Sequence, residues 1–411
     1  MGVAMSETSE KVFAGMRRGV FLNHFDKDEL EILKRLSTEL FITNGGGIAK
    51  LIKSEYKYFL IKPTDLFREM FNLEREIIVI FSPYESFEPR TLDAIECAYK
   101  KYQQLRIDKI CSVVISKDDL IESKLKDLLK SDQEAQIVIP FSYKELLERR
   151  DPYFLRNRFK SHFYTRDLFA FEAPLKKELY FFGRNDIVHY IVNRHRSNEN
   201  SGLFGLRKTG KTSVIFGVRR ALEKIDAKSV FIDCQFPAFH QRRWNHALQY
   251  VVREISAQLN VEIKLKREDN YTGTNAPLLF EKALLETNKI LQGQSILLIF
   301  DEIENITFDV ASSAHWAKED DFIYFWQTLR SLFQKHDNLF SYLIVGTNPM
   351  CIENSKVGEK DNPIFNQVPC DFLQGFDVPQ TREMVRKLGR IMGLKFDELI
   401  YGKLTEEEHL F

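Results

Sequence analysis

SGLFGLRKTGKTSVIFGVRRALEKI, residues 201–225, is the stretch on which the fold turns. Gly205, Leu206, Arg207, Lys208, Thr209, Gly210, Lys211 and Thr212 keep the spacing G-x-x-x-x-G-K-T, and Ser213 comes next. At that spacing glycines let consecutive backbone amides turn inward around a β-phosphate, Lys211 reaches the β and γ oxygens, and Thr212 brings a hydroxyl to Mg²⁺. The flanks agree. Residues 202–206 offer a short strand, and 213–225 offer a helix with Val214, Val218, Leu222 and Ile225 on one face. Such a helix aims its positive end at the phosphates.

A short motif needs a partner, and one lies downstream. SILLIFDE, residues 295–302, is a buried-strand run ending in two acids, with Asp301 placed to hold the magnesium shell and Glu302 to orient and polarise the attacking water. SYLIVGTNP, 341–349, is another buried strand, and its exit carries Thr347 and Asn348. The Asn348 amide is positioned to touch the γ-phosphate or the lytic water, although a plain strand-to-turn exit reads the same way. YFFGRNDIVHYIV, 180–192, sets Gly183 and Arg184 at the head of an apolar helix, and SVFIDC, 229–234, adds a core strand. An acid directly after Asp301 points to the additional-strand glutamate branch of P-loop proteins. The expected site therefore has Glu302, Lys211 and Asn348 as catalytic groups, the loop from Gly205 to Ser213 with Arg184 around ATP, and Thr212 and Asp301 on Mg²⁺.

Over residues 180–404 the chain resembles the AAA+-related STAND ATPases and the archaeal ATPases close to origin-recognition proteins. FFGR, GLRKTGKTS, VFIDC, LLIFDEIE, LIVGTNP and the lid-like QGFDVPQTREMVRKLGRIMGLKF carry the resemblance. It implies a nucleotide-operated switch that becomes a homo-oligomer on activation, often in prokaryotic defence or signalling. Members of these groups continue through a helical lid into a winged-helix domain. The lid here runs to Phe411 and is read as incomplete, with Arg386 and Arg390 as candidate second sensors or as ordinary helix-surface arginines.

The 411 residues exceed one ordinary domain, and 44% hydrophobic with 29% charged residues is a globular composition. Fifty-nine basic residues balance 59 acidic ones, so no whole-molecule field draws the chain to nucleic acid or anionic lipid. Five scattered cysteines without a Cys-x-x-Cys pair exclude a zinc ribbon and a disulfide frame, and fit a cytoplasmic protein. No stretch approaches the roughly 20 apolar residues of a membrane span.

The expected architecture is α/β: a helical segment over 1–53, a smaller Rossmannoid α/β domain over 54–148, a basic and aromatic connector over 149–179, a P-loop (AAA+-like) core with a parallel sheet over 180–370, and a partial helical lid over 371–411. The run Asn44-Gly45-Gly46-Gly47 reads as a flexible turn without the basic neighbours of a phosphate loop. KYFLI, EIIVIF, KICSVVIS and QIVIPF alternate with helices and suggest a parallel sheet, at whose strand ends lie Ser82, Tyr84, Glu85, Glu88, Ser116, Asp118 and Ser142. A TIR-like layout makes Glu85 or Glu88 a candidate acid. In the connector, Arg156, Arg158, Lys160 and Arg166 interleave with Phe159, Phe163 and Tyr164, either to stack on single-stranded nucleic acid or to pack the aromatics on the next domain.

Three functions follow from these readings. The first is an ATP-binding, slowly hydrolysing regulatory switch that controls domain arrangement and self-association. The second is an ATP-dependent DNA-binding initiator or loader. The third is an N-terminal effector enzyme licensed by the ATPase.

Overall fold

The structure is a computed structural model that describes residues 11–102, 107–130, 132, 134–164, 167–170, 173–263, 267–394 and 396. The chain divides into two compact units, one of residues 1–172 with 382–410, the other of 173–381.

The first unit is built on a six-stranded sheet in chain order: β1 (Gly15–Met16), β2 (Phe41–Leu51), β3 (Ser54–Lys62), β4 (Ile77–Ser82), β5 (Cys111–Ser116) and β6 (Ile137–Ser142). The sheet is mixed. β4, β5 and β6 run parallel, whereas β2, β3 and β4 are joined antiparallel. The link accounts for the first of these joins, because two residues between β2 and β3 leave room for a hairpin and not for a crossover helix. The glycine run 44–47 is therefore part of strand β2, where two register shifts against β3 mark bulges, and is not a free turn. A boundary between 53 and 54 would cut this hairpin.

Helices α1 (Lys27–Leu36), α2 (Asp65–Phe71), α3 (Arg90–Lys101), α4 (Ile121–Leu129), α5 (Tyr143–Glu148) and α6 (Phe154–Phe163) belong to the same unit. Strand alternation sends Tyr58, Leu60, Ile78 and Ile80 to one face, against Ala94, Ile95 and Ala98 of α3 and Leu125 of α4. Phe59 and Phe81 point to the other face, where Phe25 and Tyr143 meet them edge to face.

Helix α6 corrects the connector reading. Phe159 lies on Phe67 and Phe71, Phe163 on Phe71, and Phe154 on Phe141, so these aromatics complete the core of the preceding domain and not of the following one. Arg158, 8% exposed, bonds Glu122 at 2.5 Å and Glu145 at 2.6 Å, and Arg156 bonds Glu39 at 2.9 Å. Buried rings and neutralised guanidinia do not form a stacking platform for bases. Lys160 is exposed, and Arg166 lies outside the described residues.

The second unit carries β7 (Ser201–Phe204), β8 (Lys228–Asp233), β9 (Ile296–Asp301), β10 (Phe340–Gly346), the small hairpin β11 (Lys356–Val357) and β12 (Lys360–Asp361), and β13 (Cys370–Phe372). Its main sheet has the order β13-β7-β10-β9-β8 and is parallel throughout. Its helices are α7 (Asn185–Arg196), α8 (Lys211–Lys224), α9 (Pro237–His240), α10 (Trp244–Leu259), α11 (Ala276–Ile290), α12 (Ala314–Ala317), α13 (Glu319–Lys335) and α14 (Met350–Glu353). α15 (Val378–Ile391) starts in this unit and ends in the first.

Both faces of the parallel sheet are covered, which explains why its strands read as unbroken apolar runs. Leu297, Ile299, Leu343 and Val345 face α7 and α8, while Leu298, Phe300, Tyr342 and Ile344 face the layer of α10, α11 and α13. The edge strand β8 is blunted locally, since the Gln258 side chain exchanges two hydrogen bonds with the Phe231 backbone.

Candidate functional site

The carboxyl ends of β7, β8, β9 and β10 lie on one rim. Gly346 stands in register with Phe204, and Asp301 with Asp233, while the Gly205 amide donates to the Gly346 carbonyl at 3.2 Å. The loop after β7, the acids after β9 and the exit of β10 therefore share the rim where parallel sheets bind ligands.

Two glycines make the loop possible. Gly210, at φ +93, is the N-cap of α8 with open space where a Cβ would stand, so its requirement is conformational. Gly205 is a packing case, because a Cβ there would sit 2.7 Å from the Leu373 carbonyl oxygen and 3.2 Å from Thr209 Oγ1. Leu206, Arg207 and Lys208 form the exposed tip, with Lys208 in the left-handed region. Lys211, 7% exposed, folds back over the loop and donates to the carbonyls of Gly205 at 2.7 Å and Leu206 at 2.9 Å. Thr212 is half-buried on the first turn of α8. The Ser213 hydroxyl accepts from the Leu175 amide at 2.9 Å, so that side chain ties down the strap before the core.

Asp301, 5% exposed, ends β9. Burial pushes its carboxyl up to about 7; repulsion from Glu302 and Asp233 adds to the rise, while the Glu302 amide, donating at 3.0 Å, and Lys211 oppose it. A carboxylate so disfavoured is relieved by a cation. Among the described residues no three ligating side chains gather into a metal cage. Magnesium in nucleotide sites keeps waters and is held by one or two protein oxygens with the phosphates of its nucleotide. Thr212 and Asp301 fit this role, and a nucleotide's phosphates would supply the rest.

Glu302 sits in the left-handed region at φ 52, half-buried, with its carbonyl accepting from the Asn305 side chain. A non-glycine residue in this conformation costs of order 1–3 kcal/mol, a kind of strain that gathers at functional sites. Glu304 is a residue that sequence reasoning passed over. Its Oε1 accepts from the Thr347 amide and, at 2.8 Å, from the Asn348 amide, which clamps the exit of β10 to the turn after β9. Its spacing from Asp301 was visible, but its partners lie more than forty residues away. Asn348 is exposed, and its Oδ1 accepts from the Met350 amide at 3.0 Å, so Nδ2 is the end available to a phosphate or water.

Arg184 donates to the Gln374 carbonyl and lies 4.5 Å from the Phe376 ring centroid. The structure thus ties it to the segment leading into α15. Arg390 belongs to the first unit, 3.4 Å from Glu74 and 3.5 Å from Asp108. Its guanidinium is engaged there.

Several strand-end residues of the first unit serve turns and caps, while the buried Ser82 hydroxyl has no hydrogen-bond partner among the described residues. Asp118, 6% exposed, accepts from Lys124 at 2.6 Å and from the amides of Phe87 and Leu120; Ser142 caps α5; Tyr84 bonds the Glu55 backbone. Glu85 is exposed, and Glu88 pairs with Arg90.

The sheet order, with β10 between the loop strand β7 and the acid strand β9, makes the second unit a parallel α/β fold of the P-loop type. No protein-family model and no curated protein matches the chain. Among solved structures it is similar to a Walker-type ATPase of Pyrococcus abyssi, with a TM-score of 0.42 and 15% identity over 57% of this chain and 66% of that one. It is also similar to AMPPCP-bound DnaA from Aquifex aeolicus, with a TM-score of 0.32 and 12% identity over 54% of this chain and 55% of that one. The chain spans 55% to 66% of the length of these two structures.

Proposed function

We propose that the chain binds ATP with Mg²⁺ at the β7–α8 loop and hydrolyses it slowly, as a regulatory switch. The observation that carries the reading is the meeting on one rim of Lys211, set on the first turn of a helix whose amides face the same way, with a buried carboxyl, Asp301, that burial and neighbouring acids make receptive to a cation. In this reading Lys211 holds the β- and γ-phosphates, Asp301 and Thr212 hold the metal, and Glu302 orients the attacking water.

The switch is supported by the path of the chain. The Leu373 amide donates to the Phe204 carbonyl at the base of the loop, and α15 begins five residues later and ends among residues of the first unit. A change at the phosphate loop has a short covalent route to the other unit. Nucleotide-dependent self-association in the cytoplasm, in defence or signalling, is the setting this reading adopts.

The test is equilibrium binding of a fluorescent ATP analogue with and without Mg²⁺, a steady-state ATPase assay, and mass in solution of Glu302→Gln with and without Mg-ATP. Saturable Mg-dependent binding, slow turnover and a rise in mass are expected. Absence of nucleotide binding defeats the reading outright, and binding with unchanged mass removes self-association from it.

A further inference from the structure

Within the first unit, residues leaving β1 and the bulged part of β2 line a common cavity of about 320 Å³. Arg17 and Arg18 line it together with Asn44, Gly45 and Gly46. The glycine run thus acquires the basic neighbours that it lacks in sequence. Both arginines are exposed, and among the described residues neither has a carboxylate within ion-pair distance. Elsewhere in this unit Arg68, Arg90, Arg156 and Arg158 each have an acid partner. Two consecutive arginines without counter-charge, lining one cavity beside polar backbone, are suited to attract a phosphate, since the guanidinium fork matches a phosphate bidentately.

A second observation points the same way. Phe21, which also lines the cavity and is 66% exposed, stacks on His24 at 6.2 Å between centroids. His24 is hydrogen-bonded to the Gly45 backbone, and its Nε2 is buried without a partner. The histidine in contact with two lining residues therefore carries an unmet hydrogen-bonding atom. The volume lies at the lower end for small-molecule sites, which suits a single phosphate with a ring-sized group. The exposed ring of Phe21 supplies a stacking face next to the charges.

We propose that this cavity is a second anion site, which takes the phosphate of a mononucleotide-sized ligand on Arg17 and Arg18 and its ring against Phe21. The site does not depend on the ATPase reading. The test uses the full chain carrying Lys211→Ala, so that binding at the phosphate loop is severely weakened, and titrates it calorimetrically with AMP, inorganic phosphate, sulfate and a short oligothymidylate. Saturable AMP binding is expected, tighter than either inorganic anion, weakened about tenfold or more by Arg17→Gln with Arg18→Gln and several-fold by Phe21→Ala, all three side chains being exposed enough to leave the melting temperature in place. Should the double glutamine variant fail to fold, Arg17→Lys with Arg18→Lys keeps the charge while removing the fork, and a several-fold loss is expected. Four results overturn the proposal: no saturable AMP binding, AMP binding indifferent to the arginine variants, AMP no tighter than sulfate (an adventitious ion only), or oligothymidylate bound more tightly than AMP.

Discussion

Glu304 accepts the backbone amide of Asn348 at 2.8 Å, across 44 residues of sequence, and so joins the turn carrying Asp301 and Glu302 to the exit of the neighbouring strand. Glu304→Ala removes a charged acceptor from two amides at once. It is expected to cost about 1.5–3 kcal/mol of stability and to lower turnover more than nucleotide affinity. Thermal denaturation, with kcat and KM measured separately, checks both; a variant that loses affinity alone would place Glu304 in binding and not in alignment.

Lys211→Ala is expected to abolish hydrolysis and weaken nucleotide binding severely. Because Lys211 also donates to the Gly205 and Leu206 carbonyls, the nucleotide-free variant should lose about 1 kcal/mol of stability, a small effect that leaves the protein folded. A collapse of the melting temperature would make the lysine a structural element first.

Glu302→Gln is expected to retain Mg-ATP and lose turnover by about 10²-fold or more, since the amide keeps the shape but not the charge that polarises water. Asp301→Asn should instead weaken the metal-dependent part of binding. Glu302→Gly makes a second, independent point: it relieves the left-handed backbone at φ 52 and should raise stability by about 1 kcal/mol while turnover is lost. Equal loss of affinity in the glutamine and asparagine variants contradicts the assigned roles.

Asp301 provides a pH signature. Its carboxyl is raised from 3.8 to about 7, so the folded chain holds a proton that the unfolded chain releases between those values. The stability this supplies is complete below pH 3.8 and is lost as pH rises through 7, a difference of a few kcal/mol. His195, bonded to the Ser341 hydroxyl at 2.8 Å and pushed down by burial to about 4, works in the opposite direction, since its contribution is present above pH 6.5 and lost as pH falls towards 4. Chemical denaturation of wild type and Asp301→Asn from pH 5 to pH 8 separates the two, because the difference between the variants isolates Asp301. Mg-ATP binding should release a proton near pH 6 and tighten towards pH 8; proton uptake on binding would refute the placement of the cation.

Phe159→Ala should destabilise the first unit by about 3–5 kcal/mol, given a fully buried ring between Phe67 and Phe71, and leave nucleotide affinity unchanged. Hydrogen exchange is expected to rise over α2 and α6 and not over α8. The reverse pattern would return the connector to the P-loop core.

The G-x-x-x-x-G-K-T loop, the acids after β9 and the strand leading to Asn348 were legible in sequence as elements because each is a contiguous run of residues: the turn, the lysine and the hydroxyl follow one another. The apolar runs of β7 to β10 were equally legible, since strands covered on both faces carry no polar alternation. What tertiary structure alone decided was the choice of partner. β10 enters the sheet between β7 and β9, although β8 and β9 both precede it in the chain. The phenylalanines of α6 turn back to α2, Glu304 reaches across to Asn348, and Arg17 and Arg18 meet a glycine run nearly thirty residues away. In each case the local sequence sets what must be buried or neutralised. Which distant surface does so depends on packing every element at once, and no short stretch of residues contains that information.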